Sequence, residues 1–253
     1  MTVFRKDRPD APAGFFEFEA AGLRWLAEAE HRGGAQIVGI LDVCCTFIEL
    51  QRLADGPASA AAAENFGRAL AVTHAAGADA FGSPPDGWTG PGWIGRQRQS
   101  MDPTPTWGMF YAEQRVRPFV RRARDNGQLD PTGAQLLDRL SDRIAAGEFD
   151  DGAPPARLHG DLWAGNVQFT DRGVVLIDPA AHGGHGQTDL AMLELFGCPQ
   201  LPRIQRAYQE VAGLPADWPE RTALHQLHPV AVHAVSHGPS YAGRLVSLAE
   251  RYR

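Results

Sequence analysis

Lysine is nearly missing from this chain. Of its 24 basic residues only Lys6 is a lysine, which leaves 24 − 1 = 23 arginines. Arginine serves wherever positive charge alone suffices. A lysine that persists marks a place for a compact, flexible point charge that a planar guanidinium does not replace. Cysteine is also scarce: Cys44, Cys45 and Cys198 are an odd set that cannot all pair internally. Adjacent Cys44 and Cys45 sit in a strand-like run, so reduced thiols and a cytoplasmic setting are expected. No apolar run reaches the roughly 18 residues that span a bilayer, and the N-terminus lacks the apolar segment of a signal peptide. An excess of basic charge is missing too, because 24 − 30 gives a net −6. That balance makes no electrostatic case for nucleic acid or an anionic membrane as partner. The one local exception, Arg115–Arg124, reads as the solvated face and end of a helix. There is no internal repeat, and 253 residues suffice for one compact unit or two tightly packed lobes.

What the chain does have is concentrated in Leu158–Asn166 (LHGDLWAGN), with Ile177-Asp178-Pro179 on the following hairpin. Arg157-Leu158, Val167–Phe169 and Val174–Ile177 read as strands, and Thr170–Gly173 as the turn joining the last two. Asp161, Asn166 and Asp178 therefore fall at strand ends and on a tight loop, where a scaffold can aim them. Taken singly, each is an ordinary turn former or cap. Taken jointly, the spacing resembles the centre of kinase-fold phosphotransferases. Phosphoryl transfer to a hydroxyl needs one carboxylate beside the attacking O–H and two oxygen ligands for Mg²⁺. Asp161 suits the first role, and Asn166 and Asp178 suit the second. Lys6 lies on a short strand, Val3-Phe4-Arg5-Lys6, ahead of a helical pattern over Phe15–Glu30 that carries Glu17 and Glu19.

Four stretches then carry a resemblance to the fructosamine kinase family, related to aminoglycoside phosphotransferases and choline kinases within the protein-kinase-like fold. They are Phe4–Leu26, Glu64–His74, Leu158–Asn166 and Val175–Phe196, with a looser match over Tyr208–Gly238. The Trp of HGDLWAGN and the DPAAHGGHGQTDLAM run are the most specific parts. The resemblance implies an α+β, two-lobed fold: a shortened N-terminal nucleotide-binding lobe over residues 1–54 and a mainly helical catalytic and substrate lobe over 55–253. It implies ATP and Mg²⁺, and a small-molecule ketoamine or glycated amine phosphorylated on its 3-hydroxyl in deglycation repair. Lys6 would contact the nucleotide phosphates, held by Glu19 in preference to Glu17. Glu49, Leu50 and Gln51 would form the hinge that meets adenine. Trp163, His182 and His233 would line the acceptor site, with His159 and Asp189 as structural support.

Relatives carry two further strands and a glycine-rich turn ahead of the lysine strand. Five residues stand before Lys6 in this sequence, so the expectation is either a shortened start or a nucleotide site closed differently, with Arg5 and Arg8 as candidates for the phosphate contacts. Two other readings stay open: an aminoglycoside, choline or sugar kinase of the same fold, and a nucleotide-binding pseudokinase. A zinc site at His182-x-x-His185 has no further ligands at structural spacing. Elsewhere Ile37–Val43 and Cys45–Leu50 read as strands, Ala78–Thr106 as a long loop, and Ala58–Ala76 as a helix ending on His74. Trp107–Asp125, Pro131–Gly147, Thr188–Phe196, Leu201–Ala212, Trp218–Val235 and Tyr241–Tyr252 read as helices.

Overall fold

The computed structural model describes residues 2–253. It opens with β1 (Val3–Asp7) and α1 (Phe15–Ala27), followed by β2 (Gln36–Ile37), β3 (Ile40–Cys44) and β4 (Phe47–Gln51). β4 is the centre of an antiparallel sheet ordered β1-β4-β3. Its side chains alternate, with Ile48 and Leu50 buried and their neighbours half-exposed, as the two-residue period of a strand requires. The buried pair packs on Phe16, Ala20 and Leu23, which share one face of α1 through their four- and three-residue spacing. Burying each large side chain in this way is worth about 1.5–3 kcal/mol. Lys6 lies opposite Ile48 in the register, so it shares the face that looks toward α1.

The run Ile37–Val43 is two strands rather than one. β2 leaves the small sheet and pairs in parallel with a strand of the second half of the chain, where the Val38 N–H donates to Leu176 O at 3.0 Å. α2 (Ala60–Ala75) begins on Ser59, whose Oγ accepts from the Ala62 N–H. The segment expected to be a long loop contains a hairpin, β5 (Gly92–Ile94) and β6 (Gln97–Gln99). Three-residue strands among Gly, Pro and Trp leave no period to read.

The helix expected over Trp107–Asp125 is α3 (Trp107–Phe110), a π turn at Tyr111–Val116 and α4 (Arg117–Asp125). Pro118 has no N–H to offer back to the Gln114 carbonyl, which accepts instead from Arg115 Nη1 at 3.2 Å. The Arg115–Arg124 run is thus only partly a solvated face: Arg115 is 1 % exposed, inside the protein. α5 (Pro131–Ala145) follows, capped by Asp130. Then come β7 (Ala156–Leu158), β8 (Val167–Thr170), β9 (Gly173–Leu176) and β10 (His182–Gly184). α6 (Gln187–Phe196) and α7 (Leu201–Ala212) precede a broken segment where one helix was expected: a 3₁₀ turn at Trp218–Arg221, α8 (Thr222–His225) and α9 (Leu227–His237). Pro229 lacks the N–H that would reach the His225 carbonyl, and Tyr111 Oη donates there and to Leu224 O, each at 2.9 Å. α10 (Pro239–Ala249) closes the helical half, whose core gathers Phe119, Leu137, Val230 and Leu245. Among the described residues no helix is long and apolar enough to cross a membrane.

Candidate active site

The loop Leu158–Asn166 leaves β7, which is held against β10 with Leu158 opposite His182. Gly160 takes φ +81°, and a Cβ there would stand 2.3 Å from Ala180 O, so only glycine makes this turn. The backbone around it is anchored from below. The His159 and Gly160 N–H groups donate to the two carboxylate oxygens of Asp189, at 2.8 and 3.0 Å. Asp189 lies in the first turn of α6 and is 1 % exposed. Burial alone would raise its pKa, but the hydrogen bond from His74 and the loop amides hold it below the usual carboxylate range. His74, at the end of α2, reaches Asp189 through Nε2 at 3.1 Å and Tyr208 Oη through Nδ1 at 2.8 Å. His159 Nε2–H donates to Ile177 O at 2.8 Å while its Nδ1 accepts from the Asp161 N–H at 3.3 Å. Burial keeps this imidazole below its ordinary pKa and hence neutral, as that bonding pattern requires.

Above this base sit the polar groups that the sequence singles out. Asp161 has its carboxyl pushed up to about 7, first by burial and then by the negative charges of Asp178 and Asp189. Asn166 donates through Nδ2 to Asp161 O at 2.7 Å and Asp178 O at 3.3 Å. With its nitrogen so committed, its oxygen is the atom left for a ligand. Asp178 occupies the left-handed region at φ +55°, a conformation uncommon outside glycine and characteristic of constrained functional positions. Lys6 bridges Glu19, at 2.7 Å, and Asp178, so a strand, a helix and a loop far apart in sequence meet at one ammonium. Burial works against the charged lysine, but the two carboxylates outweigh it and raise its pKa. Glu19 is raised by its own burial, opposed by Lys6.

Three cavities adjoin here. One of about 300 Å³ is lined by Lys6, Glu19, Asp161, Trp163, Asn166 and Asp178. A second, of about 350 Å³, shares Asp178 and continues under the small sheet between Phe4, Leu50, Leu53, Gln168 and Ile177. A third, of about 720 Å³, shares Asp161, Trp163 and Gly95 and opens on the other side, against α6 and α9. Asp161 thus stands between a polar centre and a wide pocket.

Not every expected residue arrives there. Trp163 and His233 line the wide pocket, but His182 does not. His182 is 2 % exposed in β10, with its Nδ1 on Ala180 O and its ring near Phe110, and burial drives its pKa down to about 3. It packs behind the loop, because the β7 pairing turns it inward. His182 and His185 belong to no metal-holding cluster among the described residues. The hinge expectation also shifts. Glu49 and Leu50 are paired on both sides of the central strand, which commits their backbone groups to the ladders, and the Glu49 side chain binds Arg5 at 2.8 Å. Gln51 lines the cavity beneath the sheet, but its N–H is spent on Gly39 O, and the Arg52 N–H on Thr2 O. Arg5 points away from Lys6, with its guanidinium over Phe47 at 3.6 Å. Arg8 stacks on Phe15, a wall of the polar cavity. Sequence reasoning missed the supporting pair His74 and Tyr208 and the Gly95–Arg96 turn. A histidine ending a helix that carries one of the family-like stretches was the available signal for the first.

A profile of the fructosamine kinase family matches residues 1–252 of this chain. A curated Enterococcus faecium protein that carries the name of a ketoamine kinase is 27% identical over 250 residues, covering 98% of this chain and 87% of its own. A crystal structure from Thermobifida fusca, of a protein bearing the name of a fructosamine-3-kinase, is 43% identical with a TM-score of 0.89, covering 98% of this chain and 84% of that one. An aminoglycoside phosphotransferase with ADP bound shares the fold alone, at 12% identity and a TM-score of 0.61, over 93% of this chain and 83% of that one. The protein-kinase-like fold is therefore shared with both of these solved structures. On the strength of a match along essentially its whole length, the chain belongs to the fructosamine kinase family and is an ATP-dependent phosphotransferase.

Proposed function

We propose that this enzyme transfers the γ-phosphoryl group of ATP to the 3-hydroxyl of a fructosamine or ribulosamine, and so serves deglycation repair. The observation that carries the reading is the position of Asp161, with a carboxyl pKa raised to about 7, between the polar cavity and the wide pocket. A base of that strength at that boundary suits an acceptor hydroxyl entering from one side and phosphates held on the other. Lys6, fixed by Glu19, contacts the phosphates. The oxygen donors of Asn166 and Asp178 are hard and few, which fits Mg²⁺, an ion that takes one or two protein ligands and completes its shell with phosphate and water. When bound there, Mg²⁺ supplies positive charge against the phosphate oxygens. As the acceptor oxygen forms its bond to the γ-phosphorus, its proton passes to the Asp161 carboxylate. The bond from that phosphorus to the bridging oxygen breaks, and its electron pair leaves with ADP. Adenine lies under the small sheet between Phe4, Leu50, Gln168 and Ile177, and its polar edge meets backbone from Leu53 onward, where the ladder bonds of β4 have ended. The boundary between a nucleotide-binding lobe and a catalytic lobe falls near Ala54, with β2 reaching across it to β9.

The test is ADP release from Mg-ATP with the ribulosamine and fructosamine of lysine, run beside Asp161→Asn. Turnover that the variant loses is the expected result. Turnover retained by the variant removes Asp161 from the chemistry, and no turnover of either ketoamine refutes the acceptor class.

A further inference from the structure

The wide pocket has a wall of stacked rings and an uneven set of charges. Phe196 of α6 lies 4.8 Å from His233 of α9, measured between ring centroids, and His233 stacks on His237 at 5.1 Å with planes 18° apart. Tyr241 of α10 backs both histidines, at 5.1 and 5.8 Å. Burial, with His237 and Arg244 alongside, holds His233 below its ordinary pKa, so the wall is aromatic and uncharged there. Of the residues that line the pocket, Asp161 is the one carboxylate and Arg96 the one guanidinium.

Arg96 stands on the turn between β5 and β6. The hairpin pairs Ile94 with Gln97, and Gly95 takes φ +54° to make the two-residue turn. Gln97 Nε2 donates to Ser236 Oγ at 3.5 Å, a long bond that leans the turn on α9. Gly95 lines both the polar cavity and the wide pocket, so the next residue stands at the junction where the reacting hydroxyl enters. The Arg96 side chain is exposed and takes part in no ion pair among the described residues, which leaves its guanidinium open to a ligand.

From this arrangement we infer that Arg96 selects acceptors with a carboxylate on the amine side of the ketoamine, as in a free glycated amino acid. The inference rests on the ketoamine reading above and names the acceptor within that class. The sugar hydroxyl goes to Asp161. The protonated secondary amine lies against the ring faces of Trp163 and Phe196, which attract a cation. The carboxylate meets the planar fork of Arg96, which matches it with two parallel N–H donors. A polycationic acceptor meets the opposite situation, with a single carboxylate in the pocket and a guanidinium at its mouth.

The test compares the ribulosamines of glycine and glycinamide, and the same pair built on 6-aminohexanoate and its carboxamide, at saturating Mg-ATP. Wild-type enzyme is expected to show a KM about tenfold to a hundredfold lower for the carboxylate member of at least one pair, the range for a charge-assisted contact. Arg96→Gln abolishes that preference and leaves the carboxamide KM and the ATP KM unchanged, and Arg96→Lys keeps part of it. Equal KM values within both pairs in the wild type overturn the inference while leaving ketoamine phosphorylation standing. So does a loss in Arg96→Gln that falls equally on both members. If neither these ribulosamines nor the fructosamine of lysine is turned over, the ketoamine reading fails and the inference falls with it.

Discussion

Replacing Asp161 by asparagine separates the electrostatics of the site from its chemistry. The carboxyl is raised to about 7, chiefly by burial and secondarily by Asp178 and Asp189. A raised acid binds its proton more tightly in the folded state than in the unfolded chain. Its contribution to stability is therefore fully present below the unfolded pKa, near 3.8, and is lost as pH rises through about 7. The asparagine has no proton to lose, so the variant should match the wild type near pH 4 and exceed it at pH 8. Each pH unit across the window costs the wild type at most 1.36 kcal/mol. Asp161 retains some solvent contact, so screening reduces the sum to about 1–3 kcal/mol. For a chain of this size that is a melting temperature higher by about 2–12 °C at pH 8. The measurement is thermal unfolding of both proteins from pH 4 to 8, without nucleotide or divalent ion. Over the same substitution, kcat should fall by about 10²–10⁴-fold, the usual worth of a positioned base. Melting curves that run parallel at every pH would refute the claim that the fold holds this carboxyl up.

Lys6→Arg should raise the ATP KM and lower kcat/KM at least about tenfold, because the bulkier planar head does not fit between Glu19 and Asp178; unchanged ATP kinetics would remove the argument from the single lysine. Asp189→Ala leaves the His159 and Gly160 amides and His74 without their acceptor, and should cost about 3–5 kcal/mol in denaturant unfolding. A loss under about 1 kcal/mol would mean that the loop is held by other contacts. Gly165→Ala puts a methyl 2.3 Å from the Trp163 ring, which folds over that glycine. The displaced ring should raise the acceptor KM with the ATP KM unchanged, and shift tryptophan emission; an unaffected acceptor KM would remove Trp163 from the pocket wall.

Local spacing carried much of this molecule. Asp161 and Asn166 share one short loop and Asp178 follows on the next hairpin, so their meeting depends on turn geometry that nearby residues dictate. The family and the α+β class were legible for the same reason, in contiguous stretches such as LHGDLWAGN and DPAAHGGHGQTDLAM. Lys6 was legible by scarcity. What tertiary structure alone decided lies at long separation or in the facing of a strand. Glu19 rather than Glu17 meets Lys6 because α1 turns that side of itself to the sheet. His74 reaches Asp189, 115 residues away, and is itself held by Tyr208, 134 residues away. His182 lies in the interior because its strand pairs with β7, and a one-residue change of register would have turned it outward. The rings of Phe196, His233, His237 and Tyr241 come from three helices, and Arg96 from a hairpin too short to leave a period. The grouping of Asp161, Asn166 and Asp178 could be read along the chain because it is local; the acceptor pocket could not, because it exists only where distant elements pack.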